Sequence, residues 1–196
     1  MLPELDAALN TRLAELCSAG WDIFERFDTE VRDKRFHSFV AAEYETVLAA
    51  LIAHRREGLR FLEWGSASGV ITIMADLLGY DASGIEIDES LVQTARDLAA
   101  RFRSNAKFVA GNFLPAGFAF ESKSDAEWTT PPGAGTSGYM QLGLALDDFD
   151  VVFGYPWGEQ ERVMRDLMRT YGQRDAVLLL YDIERGVTAY RGGQLK

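Results

Sequence analysis

Two kinds of residue that mark common functional sites are scarce in this chain of 196 residues: it has one cysteine, Cys17, and two histidines, His37 and His54. A single cysteine excludes an intrachain disulfide. Two histidines, poorly spaced, give no metal-site signature, so no metal is expected. Positive charge is also short, with 20 Lys and Arg against 30 Asp and Glu and a net charge of −10. A nucleic-acid binder usually presents a basic face, so this balance argues against such a partner. The local cluster Arg96, Arg101, Arg103 and Lys107 reads as a solvated helix face. No apolar run approaches the roughly 20 residues of a membrane span. The acidic, amphipathic start lacks the basic-then-apolar pattern of a signal peptide. These absences lead us to expect a cytoplasmic protein without a membrane segment; oligomeric state is not readable.

What is present is ordinary for a globular protein: 47% hydrophobic and 26% charged residues. Residues 1–58 read as a helical cover. Leu5, Leu9, Leu13, Leu16 and Cys17 recur at helical spacing, which makes Cys17 a small core residue, and Gly20 is the expected stop. Trp21, Phe24, Phe27 and Val31 form a second stripe, and Phe39, Tyr44, Val47, Leu48 and Leu51 a third. Residues 59–196 change texture. Short apolar runs such as "LRFLEW", "SGIE", "KFVAG", "DFDVVFGY" and "DAVLLLYD" alternate with helical stretches, and "GVTAYRG" is a short strand at the tail. That alternation predicts an α/β fold, a doubly wound and mostly parallel sheet covered on both faces. Residues 116–147, rich in Ser, Thr, Gly and Pro, form an unusually long connection, and we expect a flexible insertion there, either a mobile lid or a passive spacer.

The chemistry centres on "EWGSASG", residues 63–69. In an open parallel sheet, ligands bind outside the carboxyl ends of the strands, and the loop after the first strand lies there. The dinucleotide fingerprint is G-x-G-x-x-G, and Gly65, Ser66, Ala67, Ser68, Gly69 fails it. Glu63 would face a pyrophosphate's charge, whereas it suits a ligand with a cationic group, such as the ammonium of S-adenosylmethionine. Gly65 and Gly69 would let backbone approach that ligand. Glu86 ends the second strand, close to the spacing at which an acid meets ribose hydroxyls, with Asp88 as its rival. After the third strand, Asn112 carries an amide suited to an adenine edge, and Phe113 a ring suited to its face.

With these stretches in place, the sequence resembles the class I S-adenosylmethionine-dependent methyltransferases over residues 59–182. Its texture is similar to that of bacterial members whose acceptors are undefined. "EWGSASG" follows the outline of that family's first motif, Glu86 falls on the second, Asn112 on the third and "FGYPWG" on the fourth. Ala67 stands where the family has its middle glycine, Asn112 where aspartate is common, and the tail is short of a strand. The resemblance implies a Rossmann-like methyltransferase fold, S-adenosylmethionine as cofactor, and methyl transfer to a small-molecule or protein acceptor. The alternative is a regulatory module that binds the cofactor without turnover. Tyr155 and Trp157, after the fourth strand, are candidates for an aromatic wall near the sulfonium. His37, in the break between helices, is a candidate base or lid residue. Glu43 and Tyr44 are candidates of the same kind, and Asp182 either faces the acceptor or caps a turn.

Overall fold

The computed structural model describes residues 2–32, 39–118, 135–157 and 160–191. Among them, six strands form one sheet in the order β3-β2-β1-β4-β5-β6. The strands are β1 Arg60–Trp64, β2 Asp81–Glu86, β3 Lys107–Ala110, β4 Val151–Gly154, β5 Val177–Asp182 and β6 Gly186–Arg191. The first five are parallel, and β6 pairs antiparallel with β5. The helices are α1 Ala7–Phe27, α2 Tyr44–His54, α3 Val70–Leu77, α4 Glu89–Arg101, α5 Gly138–Leu142 and α6 Gln160–Tyr171. This is the predicted doubly wound sheet. Continuous apolar runs such as Leu178, Leu179 and Leu180 become central strands because both faces are covered.

Each face of the sheet has its own core. One packs Phe61, Ile73, Met74, Val92 and Leu98 together with Leu13, Leu16, Val47 and Leu51 of α1 and α2. The other packs Leu62, Trp64, Val152 and Leu178 against Val163, Leu167 and Met168 of α6 and Tyr139 of α5. Burying a side chain of this size contributes roughly 1.5–3 kcal/mol. The helices before β1 therefore share one core with the sheet. Cys17 is half-buried against that core as expected, and burial with the nearby Glu45 charge pushes its thiol up to about 11, away from reactivity.

One boundary differs from the sequence reading. Gly20 does not stop a helix; α1 runs through it to Phe27. A Cβ at Gly20 would lie 2.7 Å from Val70 Cγ2 and 2.9 Å from Tyr44 Cε2. Glycine is there because three helices meet, so tertiary packing outweighs its low helix propensity. The tail is also specific. β6 turns straight back from β5 through residues 183–185, so an antiparallel strand pairs beside β5 with no parallel strand between them.

Candidate functional site

The loop after β1 folds back onto the end of β2. The Gly65 and Ser66 N–H groups both donate to the Ile85 carbonyl, at 2.9 and 3.0 Å, and the Gly69 N–H donates to the Ser66 carbonyl at 2.7 Å. Gly65 and Gly69 take φ of +72° and +79°, which L side chains rarely adopt. A Cβ at Gly69 would stand 2.7 Å from both Ala95 and Phe108, so glycine lets α3 start against α4 and β3. A Cβ at Gly65 would meet nothing within 4 Å. The outer side of the loop is thus open, and it lies beside the end of β4, because Trp64 is the register partner of Gly154. The strand order reverses at this place, where open sheets bind ligands.

Ala67, in the position of the missing middle glycine, has φ +44°. That conformation costs an L residue roughly 1–2 kcal/mol. Glu86 offsets it: its Oε2 accepts from the Ala67 N–H at 2.8 Å, while Oε1 accepts from the Ile87 and Asp88 N–H groups at 2.7 and 2.9 Å. Burial raises the Glu86 carboxyl above its ordinary range, and the three amides oppose that rise. Asp88 accepts from the Ser90 and Leu91 N–H groups and caps α4. Of the two acids proposed for ribose, Glu86 is the one tied to the loop.

Glu63 is 4% exposed. Its Oε2 accepts from the Thr72 N–H at 2.9 Å and the Thr72 hydroxyl at 2.5 Å, in the first turn of α3. Desolvation pushes its carboxyl up to about 8, partly opposed by Thr72 and reinforced by the Glu86 charge. Among the described residues, no cation helps to set its pKa. The Ser66 hydroxyl oxygen is buried without a hydrogen-bond partner among the described residues. An open glycine, an orphaned hydroxyl and a buried acid without a counter-cation form a site that fits a polar, cationic ligand.

Asn112 is committed to its own loop. Its Nδ2 donates to the Gly135 carbonyl at 3.0 Å, and its Oδ1 accepts from the Leu114 N–H at 3.0 Å. Its main chain bonds Thr136 and Gly138. Residues 135–142 of the expected insertion are therefore docked on the end of β3; residues 119–134 lie outside the described residues. Phe113 stacks on Trp64 with ring centres 5.5 Å apart, and Trp64 Nε1 donates to the Tyr139 hydroxyl at 2.7 Å. Sequence reasoning missed Trp64 and Tyr139, although an indole beside the loop acid was a signal.

Across the reversal, Tyr155 stacks on Trp157 at 5.7 Å and meets Tyr181 edge-on at 4.8 Å. The Tyr155 hydroxyl is buried without a hydrogen-bond partner among the described residues. Burial, with Tyr181 and Asp182 nearby, raises its pKa, so it is a neutral donor and not a base. Trp157 is 46% exposed. The Tyr181 hydroxyl accepts from the Glu43 N–H at 3.2 Å, which brings the start of α2 to the same end of the sheet. Asp182 accepts from the Glu184 and Arg185 N–H groups and pairs with the Arg185 guanidinium at 3.4 Å; it closes the β5–β6 turn. His37 lies outside the described residues.

The basic cluster is dispersed. Arg96 donates to the Phe108 carbonyl and Lys107 pairs with Asp81, while Arg101 and Arg103 line a cavity of about 940 Å³ against α1, at the amino ends of the strands. Among the described residues there is no group of three His, Cys, Asp or Glu that could hold a metal ion, and no helix long and apolar enough to cross a membrane.

Comparison with known proteins agrees with this fold. No family model matches the chain. Over 101 residues it is 31% identical to a ribosomal protein L11 methyltransferase of Thermus thermophilus, spanning 50% of this chain and 40% of that relative. An RNA methyltransferase from Salinibacter ruber in complex with S-adenosyl-L-homocysteine superposes with a TM-score of 0.50 at 17% identity, covering 75% of this chain and 81% of that one. The chain has the class I S-adenosylmethionine-dependent methyltransferase fold. A precorrin-6y C5,15-methyltransferase from Geobacter metallireducens shares this methyltransferase fold at the same TM-score of 0.50, with 18% identity, covering 76% of this chain and 68% of that one.

Proposed function

We propose that this protein binds S-adenosylmethionine and transfers its methyl group to a small-molecule or protein acceptor. One observation carries the reading: a glycine loop open at Gly65 and flanked by two buried acids, Glu63 and Glu86, at the switch point of the sheet. The bound cofactor supplies an activated methyl on a sulfonium. In this reading the loop backbone lies against its amino-acid end. Glu63, seated under the first turn of α3 on Thr72, braces the loop from behind, and Glu86 accepts from the cofactor's ribose through capacity the three amides leave free. Asn112 lies at the adenine edge, and Phe113, braced by Trp64, packs on the ring. The helices α1 and α2 cover this end as a cap.

Tyr155 and Trp157 form the wall on the acceptor side. Their task is alignment, because an in-line displacement from a sulfonium needs mainly the nucleophile held behind the methyl. His37 remains the candidate base. The name of the Thermus relative supports a protein acceptor, and the exposed Trp157 suits a surface that meets one. Retention of the cofactor pocket without turnover is the competing outcome.

Calorimetric titration with S-adenosylmethionine, S-adenosylhomocysteine and NAD tests the reading. Micromolar binding of the first two and none of NAD is expected. Tight NAD binding rejects it. Binding without methylated product across proteins and small molecules favours the regulatory alternative.

A further inference from the structure

Trp64 ends β1 between Glu63 and Gly65 and is buried. A buried indole N–H needs an acceptor. Tyr139 of α5, itself buried, supplies it: its hydroxyl accepts from Trp64 Nε1 at 2.7 Å. The Trp64 ring in turn stacks on Phe113, with centres 5.5 Å apart and planes 27° apart. Phe113 is only partly buried, so it keeps area for a ligand. The segment that carries Tyr139 does not need its hydroxyl in order to dock. The Gly138 N–H donates to the Asn112 carbonyl at 2.9 Å, the Asn112 N–H to the Thr136 carbonyl at 3.1 Å, and the Ser137 hydroxyl to the Leu114 carbonyl at 2.9 Å. Gly138 also lies so close to β2 that a Cβ would stand 2.7 Å from Ile85 Cγ2. Main chain and Ser137 hold the segment in place, and what the Tyr139 hydroxyl fixes is the indole.

We propose that Tyr139 is a positioning residue: through the Trp64 indole it holds the Phe113 ring in the plane on which the cofactor's adenine packs. The proposal rests on the cofactor reading above and extends it to a residue that follows the insertion. Without its hydrogen bond the indole is free to leave its orientation, and Phe113 loses a fixed backing. A ring whose plane is set before the ligand arrives costs no ordering when the ligand binds. Affinity at the adenine end therefore depends on α5, which joins the site through one hydrogen bond and one stack.

The test is a double-mutant cycle, read by calorimetric titration of the whole chain with S-adenosylhomocysteine. Tyr139→Phe should weaken binding about threefold to tenfold, the size of one lost hydrogen bond. Phe113→Leu should weaken it as well. The two losses should not add: with both substitutions the protein should bind as Phe113→Leu alone does, because the hydroxyl acts through that ring. A merely structural hydroxyl would give losses that add. Tyr80→Phe is the control. It removes another buried tyrosine hydroxyl, the one donating to the Leu51 carbonyl of α2 at 2.9 Å, and its affinity should match that of the wild type. If thermal melts show Tyr139→Phe unfolded, Trp64→Phe removes the same hydrogen bond from the other side while keeping a ring to stack, and it takes the place of Tyr139→Phe in the cycle.

A folded Tyr139→Phe with wild-type affinity overturns the proposal and leaves the cofactor reading standing. Losses that add, or an equal loss in Tyr80→Phe, overturn it too, since the hydroxyl then acts only through the fold. So does a Phe113→Leu that binds like the wild type, which takes that ring out of the site, or unfolding of both Tyr139→Phe and Trp64→Phe, which makes the pair structural. A wild type that binds no S-adenosylhomocysteine overturns the cofactor reading and this proposal with it.

Discussion

At the ends of β1, β2 and β3, the acids and the amide are held from several sides. Glu86 accepts from three amides, Glu63 from two groups of Thr72, and Asn112 both donates and accepts within its loop. At the ends of β4 and β5, the Tyr155 hydroxyl has no partner among the described residues and Trp157 is largely exposed. The two regions are adjacent on one sheet, since Trp64 pairs with Gly154. The first is preorganised, which suits a ligand that always has the same shape; fixed donors and acceptors cost no reorganisation when it arrives. The second leaves an aromatic surface with an unmet hydrogen bond, where contacts are completed by whatever docks.

The largest effect that could break this contrast concerns Glu63. Its folded pKa near 8 lies above the ordinary 4.5, so between these values the folded state holds a proton that the unfolded state has lost. Stability contributed by this group therefore falls as pH rises through that window, by roughly 1.4 kcal/mol per pH unit. Below the lower value it has no slope. Glu63→Gln keeps an oxygen for the Thr72 N–H and cannot ionise. In urea unfolding, the variant should gain on the wild type by a few kcal/mol between about pH 5 and about pH 8. A difference that does not change with pH would show that the carboxyl is solvated, and the preorganised region less dry than described.

Glu86→Ala comes next. It releases the Ala67 N–H from the acceptor that holds the loop in its strained turn. Cofactor affinity, measured by calorimetry, should fall by roughly 1–3 kcal/mol, the usual cost of a buried polar partner lost. Melting temperature should fall as well, because two further amides at the start of α4 lose their acceptor. Unchanged affinity would remove the ribose role from Glu86.

Much of this division was legible in the sequence, for a local reason. Strands such as "VLLLYD" and helices such as "ESLVQTARDLAAR" declare themselves by run length and period, and "EWGSASG" by its acid and glycines. Its distance from Gly65 singled out Glu86, which the structure ties to the loop through the Ala67 N–H. What was not legible joins residues far apart in sequence. Nothing near Gly20 says that Tyr44 and Val70 will fill the space beside it, so its glycine reads as a stop. Nothing near Glu63 names Thr72 as its partner, and a carboxylate pictured in open view of a ligand is instead seated under the first turn of α3. Trp64 looks like the end of an apolar run until Phe113 and Tyr139 arrive from two other segments. Side-chain partners across elements are set by packing, which a one-dimensional pattern does not carry.

The smallest expected effect on stability tests the other region. Trp157→Ala removes a ring that is 46% exposed and makes its one aromatic contact among the described residues with Tyr155. Stability should stay within about 0.5 kcal/mol of the wild type, as for surface substitutions away from caps and buried networks. Affinity for S-adenosylhomocysteine should be equally unmoved, because the proposed reading puts the ring on the acceptor side of the strand reversal. Methyl transfer to an acceptor should nevertheless fall, through loss of the wall that aligns it. A kinetic split would locate the loss: a raised acceptor KM with kcat kept means the ring only binds, whereas a lowered kcat means it orients the nucleophile. If Trp157→Ala instead lowers the melting point as much as Glu86→Ala does, the ring is structural. The two regions would then differ in chemistry alone, and not in what they leave open for a partner.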